Sequence, residues 1–313
     1  MSNIELIGES CAIATVPMVD IHGRRSRIAS PLGAITLGER ATARALGYEL
    51  RTLDADLSIE KQQADIAELI AAGVTAITTW SLDREPLESL YRRAREAGIP
   101  IVGFNSESEF ISTVIKQEPD FSDLPGERAA AYIADRIPGA KVVVIGGPPL
   151  PALLHRERSF IAAAEARGLE IVARGDNSGD FSETAMPVVR ELLDRHPGAQ
   201  AIWCFNDLSA LGAANILFER GIPAWSGDRE GVIVSGVNGM QQAVDAIEAG
   251  LMTFTHDGML TDAGVAAIRA LAPVLTGSGT IDDMPAELIT PPSRLIDVTN
   301  TDTYVPWADR VEG

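Results

Sequence analysis

Residues 47–77 read GYELRTLDADLSIEKQQADIAELIAAGVTAI, and this stretch holds one complete strand–helix–strand unit. The run YELRTLD predicts a strand, and the run that starts at Val74 predicts the next one. Four apolar residues between them share one face of a helix: Ile59, Ile66, Leu69 and Ile70. Gly73 stands where that helix ends, because glycine readily takes the left-handed backbone found there. Such a unit predicts two parallel strands.

The same alternation continues along the chain. Runs such as IPIVGFN, KVVVIGG and AQAIWCFND are almost continuously apolar, which is typical of strands covered on both faces of a parallel sheet. The sequence therefore predicts an α/β, doubly wound fold in two halves, the first ending near Ser106 and the second beginning near Asp120. The stretch between them, ESEFISTVIKQEPDFSDLP, has weak periodicity and is interpreted as a crossover plus loop.

Composition narrows the class of protein. The chain has 313 residues, and 44 Asp and Glu against 26 Lys and Arg give a net charge of -18, which argues against nucleic-acid binding. No run reaches the roughly 18–20 apolar residues of a membrane span. The first residues, MSNIELIGES, lack the features of a secretory signal, which indicates either a cytoplasmic protein or an exported one whose signal has been removed. Cys11 and Cys204 are interpreted as buried free thiols, although the sequence also permits a disulfide between them.

Motifs of common enzymes do not occur in the sequence. The first strand is not followed by GxGxxG, and neither a GxxxxGK[ST] loop nor a GxSxG elbow occurs. The four histidines are scattered, and the calcium-like run DNSGDFSE has Phe181 in place of the required glycine. The prediction is therefore a non-enzymatic protein without a metal or cofactor.

Amides, carboxylates and aromatic residues follow the predicted strands. Ligands of open α/β sheets bind at the carboxyl ends of the strands, so these tips are the candidate site. These tips hold few pairs of a nucleophile and a base.

The order of these elements resembles the type I periplasmic solute-binding proteins, the ribose- and galactose-binding group. The resemblance covers nearly the whole chain, and its carriers are the 47–77 stretch and the runs AGIPIVGFN, RERSF, FNDLSALGA, VSGVNG and MTFTH. It implies two doubly wound parallel-sheet lobes joined by a three-segment hinge, with a ligand cleft between them. The lobes would comprise residues 1–107 with 258–288, and 108–257 with 289–313.

The resemblance also implies the ligand-binding residues. Polar contacts are expected from Asn105, from Arg156 at the start of the RxxxF helix, and from Asn206. Asn238 stands where the family usually has Asp. Among the aromatic residues, Phe181 would cover one face of the sugar, and Trp80 or Phe205 would cover the other. Asp20, His256 and Asp257 are polar candidates in two segments that differ from the family's usual pattern. Amides both donate and accept hydrogen bonds, a guanidinium donates, and aromatic rings pack on the C–H faces of a sugar, so the set suits a neutral polyol. Other interpretations remain open, since Asn206 also fits a helix cap, Phe181 and Trp80 fit a core, and Arg156 fits a helix surface.

The function implied is a monomeric, extracytoplasmic receptor that captures a small sugar or polyol and delivers it to the membrane permease of an ABC importer. Two alternatives stay open: a ligand-sensing protein of the same fold, as partner of a sensor kinase or as a regulator's effector core, and a receptor for a sugar acid. The charge beside Arg156 distinguishes a receptor for a sugar acid from a receptor for a neutral sugar or polyol. A carboxylate partner, expected from Asp20, Asp83 or Asp257, would favour hydroxyl groups, whereas an unpaired guanidinium would favour an acid.

Overall fold

The computed structural model describes residues 10–14, 31–55, 57–104, 106–116, 124–227, 230–290 and 292–311. The strands are β1 (Ser10–Ala14), β2 (Glu49–Leu53), β3 (Ile77–Thr79), β4 (Ile101–Phe104), β5 (Thr113–Lys116), β6 (Lys141–Gly146), β7 (Glu170–Asp176), β8 (Ala201–Cys204), β9 (Ile233–Ser235), β10 (Phe254–Asp257), β11 (Glu287–Ile289) and β12 (Arg294–Asp297). The helices are α1 (Pro31–Ala45), α2 (Ile59–Ala72), α3 (Glu88–Glu96), α4 (Leu124–Arg136), α5 (Pro151–Ala166), α6 (Ser182–Arg195), α7 (Asp207–Glu219), α8 (Gln241–Glu248) and α9 (Leu260–Leu275). None of these helices is long and apolar enough to cross a membrane.

The chain divides into two compact units. The first unit comprises Met1–Pro119, Met259–Pro291 and Trp307–Gly313, and the second comprises Asp120–Gly258 and Pro292–Pro306, as far as these ranges are described. The first unit contains a sheet in the order β11-β5-β4-β3-β1-β2, in which all described pairs are parallel. The sheet of the second unit has the order β12-β10-β9-β8-β6-β7, and its described pairs are parallel apart from the antiparallel pair of β10 and β12. The predicted α/β fold with two parallel-sheet lobes is confirmed.

Helix α2 forms as its sequence predicts. Ser58 caps it, because its side chain accepts a hydrogen bond from the backbone N–H of Lys61 at 3.1 Å. Gly73 ends the helix in the left-handed conformation, with φ 66°. Ile66 and Leu69 are fully buried in the core of the first unit, so the predicted apolar face is the one that packs.

The predicted unit boundaries need correction at two places. Residues 113–116, inside the stretch interpreted as a loop, form β5, which pairs with β4 and β11 and so belongs to the first unit. The C-terminal residues from Trp307 onward also return to the first unit, where the Trp307 carbonyl accepts from Thr261 Oγ1 at 3.5 Å. The chain therefore passes between the units a fourth time, in addition to the three connections predicted.

Two glycines allow α1 and α9 to pack closely in the first unit. A Cβ atom added to Gly38 would lie 2.1 Å from the Thr261 carbonyl oxygen, and one added to Gly264 would lie 2.0 Å from that of Ile35. Both obstacles are backbone atoms, so relief requires the two helices to separate.

Gly264→Ala is therefore expected to lower the free energy of unfolding by about 2 kcal/mol, as overpacking of a well-packed core does. Denaturant unfolding of the variant measures this. Gly198→Ala is the control, because no atom lies within 4 Å of a Cβ built there. Equal midpoints for the two variants would contradict the prediction.

Candidate functional site

The carboxyl ends of β8, β9 and β10 in the second unit carry half of the predicted site residues. Phe205 and Asn206 follow β8, Asn238 follows β9, and His256 and Asp257 end β10. Because β8, β9 and β10 run parallel, these tips lie along one edge of the sheet. The edge therefore brings predicted residues from three separate segments together.

Asn206 is both the cap of α7 and part of a polar network. Its Oδ1 accepts a hydrogen bond from the backbone N–H of Ser209 at 2.9 Å, and its Nδ2 donates to Asp180 Oδ1. The residue is only 4% exposed. The cap interpretation is thus correct, and it leaves part of the amide for a second role.

Arg156 on α5 is held against the end of β8. Its Nη1 donates to the backbone carbonyl of Phe205 at 3.0 Å. Helix α5 is fastened to β7 by the next residue, Glu157, whose carboxylate forms an ion pair with Arg174. Burial lowers the pKa of Arg156 to about 10, while the carboxyl groups of Asp207 and Asp180 oppose that shift. The guanidinium therefore stays charged at neutral pH.

Asp207 and Asp180 supply the opposite charge. Asp207 is fully buried, and its carboxylate accepts from the Met240 backbone N–H at 2.7 Å and from the Thr255 hydroxyl. Burial raises the pKa of Asp207 to about 7, and the nearby charge of Asp257 adds to this. Burial raises the pKa of Asp180 to about 6, against the hydrogen bond from Asn206 and the charge of Arg156. The two carboxyl groups thus offset the charge of Arg156.

Asn238 is held in a strained position beside Asp257. Its φ is 123°, and its backbone N–H donates to the His256 carbonyl at 2.8 Å. Its side-chain amide has no hydrogen-bond partner among the described residues. Gly239 follows with φ 73°, and a Cβ there would lie 2.7 Å from Asp257 Cα, so glycine is what lets the two tips meet. An amide with unused donors and an unused acceptor is suited to a hydroxyl ligand.

His256 is 2% exposed and faces α4. Its Nε2 accepts from Arg128 Nη1 at 3.2 Å, and Ser293 Oγ lies 3.4 Å away. Burial lowers its pKa to about 3, and the charges of Arg128 and Arg156 add to this, so the ring is neutral with its proton on Nδ1. That Nδ1 is buried without a hydrogen-bond partner within the described ranges. A ligand contact by His256 remains a prediction.

The aromatic candidates differ in their surroundings. The prediction that Phe205 stacks on the sugar is wrong, because this residue is 2% exposed and packs in the core of the second unit. Its ring lies against Gly147, where an added Cβ would be 2.6 Å from it. Its backbone carbonyl serves the site instead, by holding Arg156. Phe181, at the start of α6, is half-buried, as is Trp80 in the first unit, whose carbonyl accepts from Gln62 at 2.9 Å. Stacking by either ring remains a prediction.

Two predicted site residues have no described position, and one site residue was not predicted. Asp20 and Asn105 lie outside the described residues. Asp180 is a site residue that the sequence does not predict, because its run DNSGDFSE resembles only a calcium loop, and an incomplete one. Across the described ranges, no group of three or more His, Cys, Asp or Glu residues could hold a metal ion.

The fold and this site define a ligand-binding protein built from two parallel-sheet units. Residues 37–279 match the family model described as a periplasmic binding protein domain, and the chain belongs to that family. Among its relatives, the ribose import binding protein RbsB of Bacillus subtilis is 29% identical over 67% of this chain and 66% of that protein. The Escherichia coli protein of the same name is 26% identical over 80% of this chain and 82% of the relative.

Solved structures of the same fold cover nearly the whole chain. The Caulobacter myo-inositol binding protein, bound to myo-inositol, has a TM-score of 0.79 at 19% identity, covering 97% of this chain and 96% of that one. A solute-binding protein of Actinobacillus succinogenes with bound D-allose has a TM-score of 0.78 at 19% identity, covering 95% of this chain and 100% of that one. At this level of identity the likeness shows the fold.

Proposed function

We propose that this protein is a non-enzymatic, extracytoplasmic receptor that captures a small neutral sugar or polyol and delivers it, as a monomer, to the permease of an ABC importer. Family membership supports a binding role, and the names of the relatives, which include ribose and allose binding proteins, support a sugar. Myo-inositol and D-allose, bound in the two related structures, define the size of ligand to test first.

The charge balance around Arg156 carries the proposal of a neutral ligand. Asp180 and Asp207 both act on the guanidinium, so the charge of Arg156 is already compensated. A carboxylate ligand would bring a further negative charge towards two carboxyl groups. A hydroxyl group needs only donors and acceptors, which Asn206, Asn238 and Arg156 provide.

Neutral sugars are therefore expected to bind at least about ten-fold more tightly than their acids, which corresponds to about 1.4 kcal/mol. Calorimetry with D-ribose, D-allose and myo-inositol, each sugar beside its aldonic or uronic acid, measures the ratio. A thermal-shift screen of the same compounds selects the ligand, because a ligand at 100 times its Kd stabilises the folded protein by about 2.7 kcal/mol. Tighter binding of an acid would contradict the neutral assignment.

A further inference from the structure

The loop between β7 and α6 is fixed by side chains from its own residues, from α6 and from α7. Asn177 is buried, and its Nδ2 donates to the Phe181 carbonyl and to Ser209 Oγ, both at 2.9 Å. Its Oδ1 accepts from Thr184 Oγ1 at 2.6 Å. Asp180 lies inside this braced loop with a left-handed backbone, φ 57°. The position of its carboxylate is therefore set by the surrounding structure.

Asp180 and Asn206 together determine which polar atoms remain unused. Asn206 Oδ1 is engaged by the N–H of Ser209, and one N–H of its Nδ2 is engaged by Asp180 Oδ1. The orientation of the amide is thereby fixed, and its remaining donor is the second N–H of Nδ2. Asp180 Oδ2 has no hydrogen-bond partner in the described part of the chain. An unused donor and an unused acceptor thus stand side by side.

We propose that Asp180 is a specificity-determining residue that acts with Asn206 to recognise one hydroxyl group of the sugar. In this arrangement the hydroxyl donates its proton to Asp180 Oδ2 and accepts from Asn206 Nδ2. The inference rests on the proposed function and deepens it. The hydrogen bond from Asn206 and the charge of Arg156 both favour the ionised form of Asp180, so this carboxylate is an acceptor at neutral pH. A charge-assisted bond of this kind is stronger than one between neutral groups.

Asp180→Asn tests the pair with little change of shape. Asparagine tolerates the left-handed backbone of this position, so the variant is expected to fold. The new amide would accept from Asn206 through its oxygen and present N–H donors to the ligand, so the hydroxyl would lose the acceptor for its proton. Asp180→Gly removes the side chain and suits the backbone even better, so it serves if the first variant fails to fold.

The measurement is calorimetry with the tightest of D-ribose, D-allose and myo-inositol and with its singly deoxygenated analogues. Asp180→Asn is expected to weaken binding of the parent sugar at least about ten-fold. The deoxy analogue that lacks the recognised hydroxyl should bind the unaltered protein about ten-fold more weakly than the parent sugar does. The variant should bind this analogue and the parent sugar about equally well. Glu183→Gln removes an exposed charge from the first turn of α6 and is the matched control. Its parent-to-deoxy affinity ratios should equal those of the unaltered protein.

A purely structural role for Asp180 predicts a different pattern. All ligands would then lose affinity by the same factor, and the parent-to-deoxy ratios of the variant would equal those of the unaltered protein, which overturns the inference while leaving the proposed function intact. Failure of the unaltered protein to bind any of the sugars overturns the proposed function itself, and the inference with it.

Discussion

Replacing Arg156 by alanine is expected to weaken sugar binding by about 100-fold or more. Arg156 donates to the Phe205 carbonyl, and its positive charge is stabilised by the carboxyl groups of Asp180 and Asp207. Its removal takes away charged donors for the ligand and leaves the buried Asp207 and the half-buried Asp180 without their counter-charge. Hydrogen bonds from a charged donor contribute about 1.5–3 kcal/mol each, so two of them to the ligand amount to about 3 kcal/mol or more, and each 1.4 kcal/mol is a factor of ten in affinity.

Arg158→Ala is the matched control for this loss. Arg158 lies on the same helix two residues further on, and its side chain is exposed. The control is expected to bind within about two-fold of the unaltered protein, since exposed residues away from a site contribute little. Arg156→Lys keeps the charge but not the planar fork of donors, so an intermediate affinity is expected. Calorimetry gives the affinities, and thermal melts show that each variant folds. Near-normal binding by Arg156→Ala would remove Arg156 from the site.

Much of the fold could be predicted because burial leaves a strong pattern in the sequence. Val142 to Ile145 of β6 are all fully buried, and the run KVVVIGG shows it directly. Strand β5 was missed because it has only four residues and lies among charged and polar neighbours. Its register depends on β4 and on β11, which is about 170 residues away in the chain, and no local pattern reports that pairing.

The candidate site was predictable where a residue follows a strand and unpredictable where a distant contact decides its role. Asn206 and Asn238 are strand-end residues, so topology alone places them at the edge. Phe205 stands beside them but points into the core, because Gly147 leaves room for its ring. Asp180 gains its role from Asn206, 26 residues later, and that contact has no signature in either segment.

The stability of the first unit is expected to depend on pH through Glu39, a residue with no part in the candidate site. Glu39 on α1 is 0% exposed, and its Oε1 accepts from Thr78 Oγ1 at 2.7 Å. Its Oε2 is buried with no hydrogen-bond partner in the described ranges. Burial raises the pKa of Glu39 from 4.5 to about 8, since the bond from Thr78 and the charge of Arg40 oppose the shift only in part. The carboxyl group is therefore protonated in the folded protein at neutral pH.

This shift lowers stability as pH rises. Below pH 4.5 Glu39 is protonated in both states and has no cost, whereas between pH 4.5 and about 8 it ionises only on unfolding. Each pH unit in that window favours the unfolded state by about 1.4 kcal/mol, and the loss levels off above pH 8. Glu39→Gln mimics the protonated acid and cannot ionise, so its stability relative to the unaltered protein should rise by roughly 3 kcal/mol between pH 5 and pH 7.

Amide hydrogen exchange in α1 and β3 measures this difference, because those amides report the opening of the first unit and comparison at equal pH cancels the intrinsic exchange rate. Glu96→Gln is the matched control, since the side chain of Glu96 on α3 is exposed and its replacement should leave the protection of α1 and β3 unchanged at every pH. The raised pKa of Asp207 also lowers stability with rising pH, but it does so equally in every variant compared. Parallel pH profiles for Glu39→Gln and the unaltered protein would mean that the Glu39 carboxylate is solvated in the folded state. A difference that grows between pH 5 and pH 7 would show that α1 buries a neutral acid in the first unit.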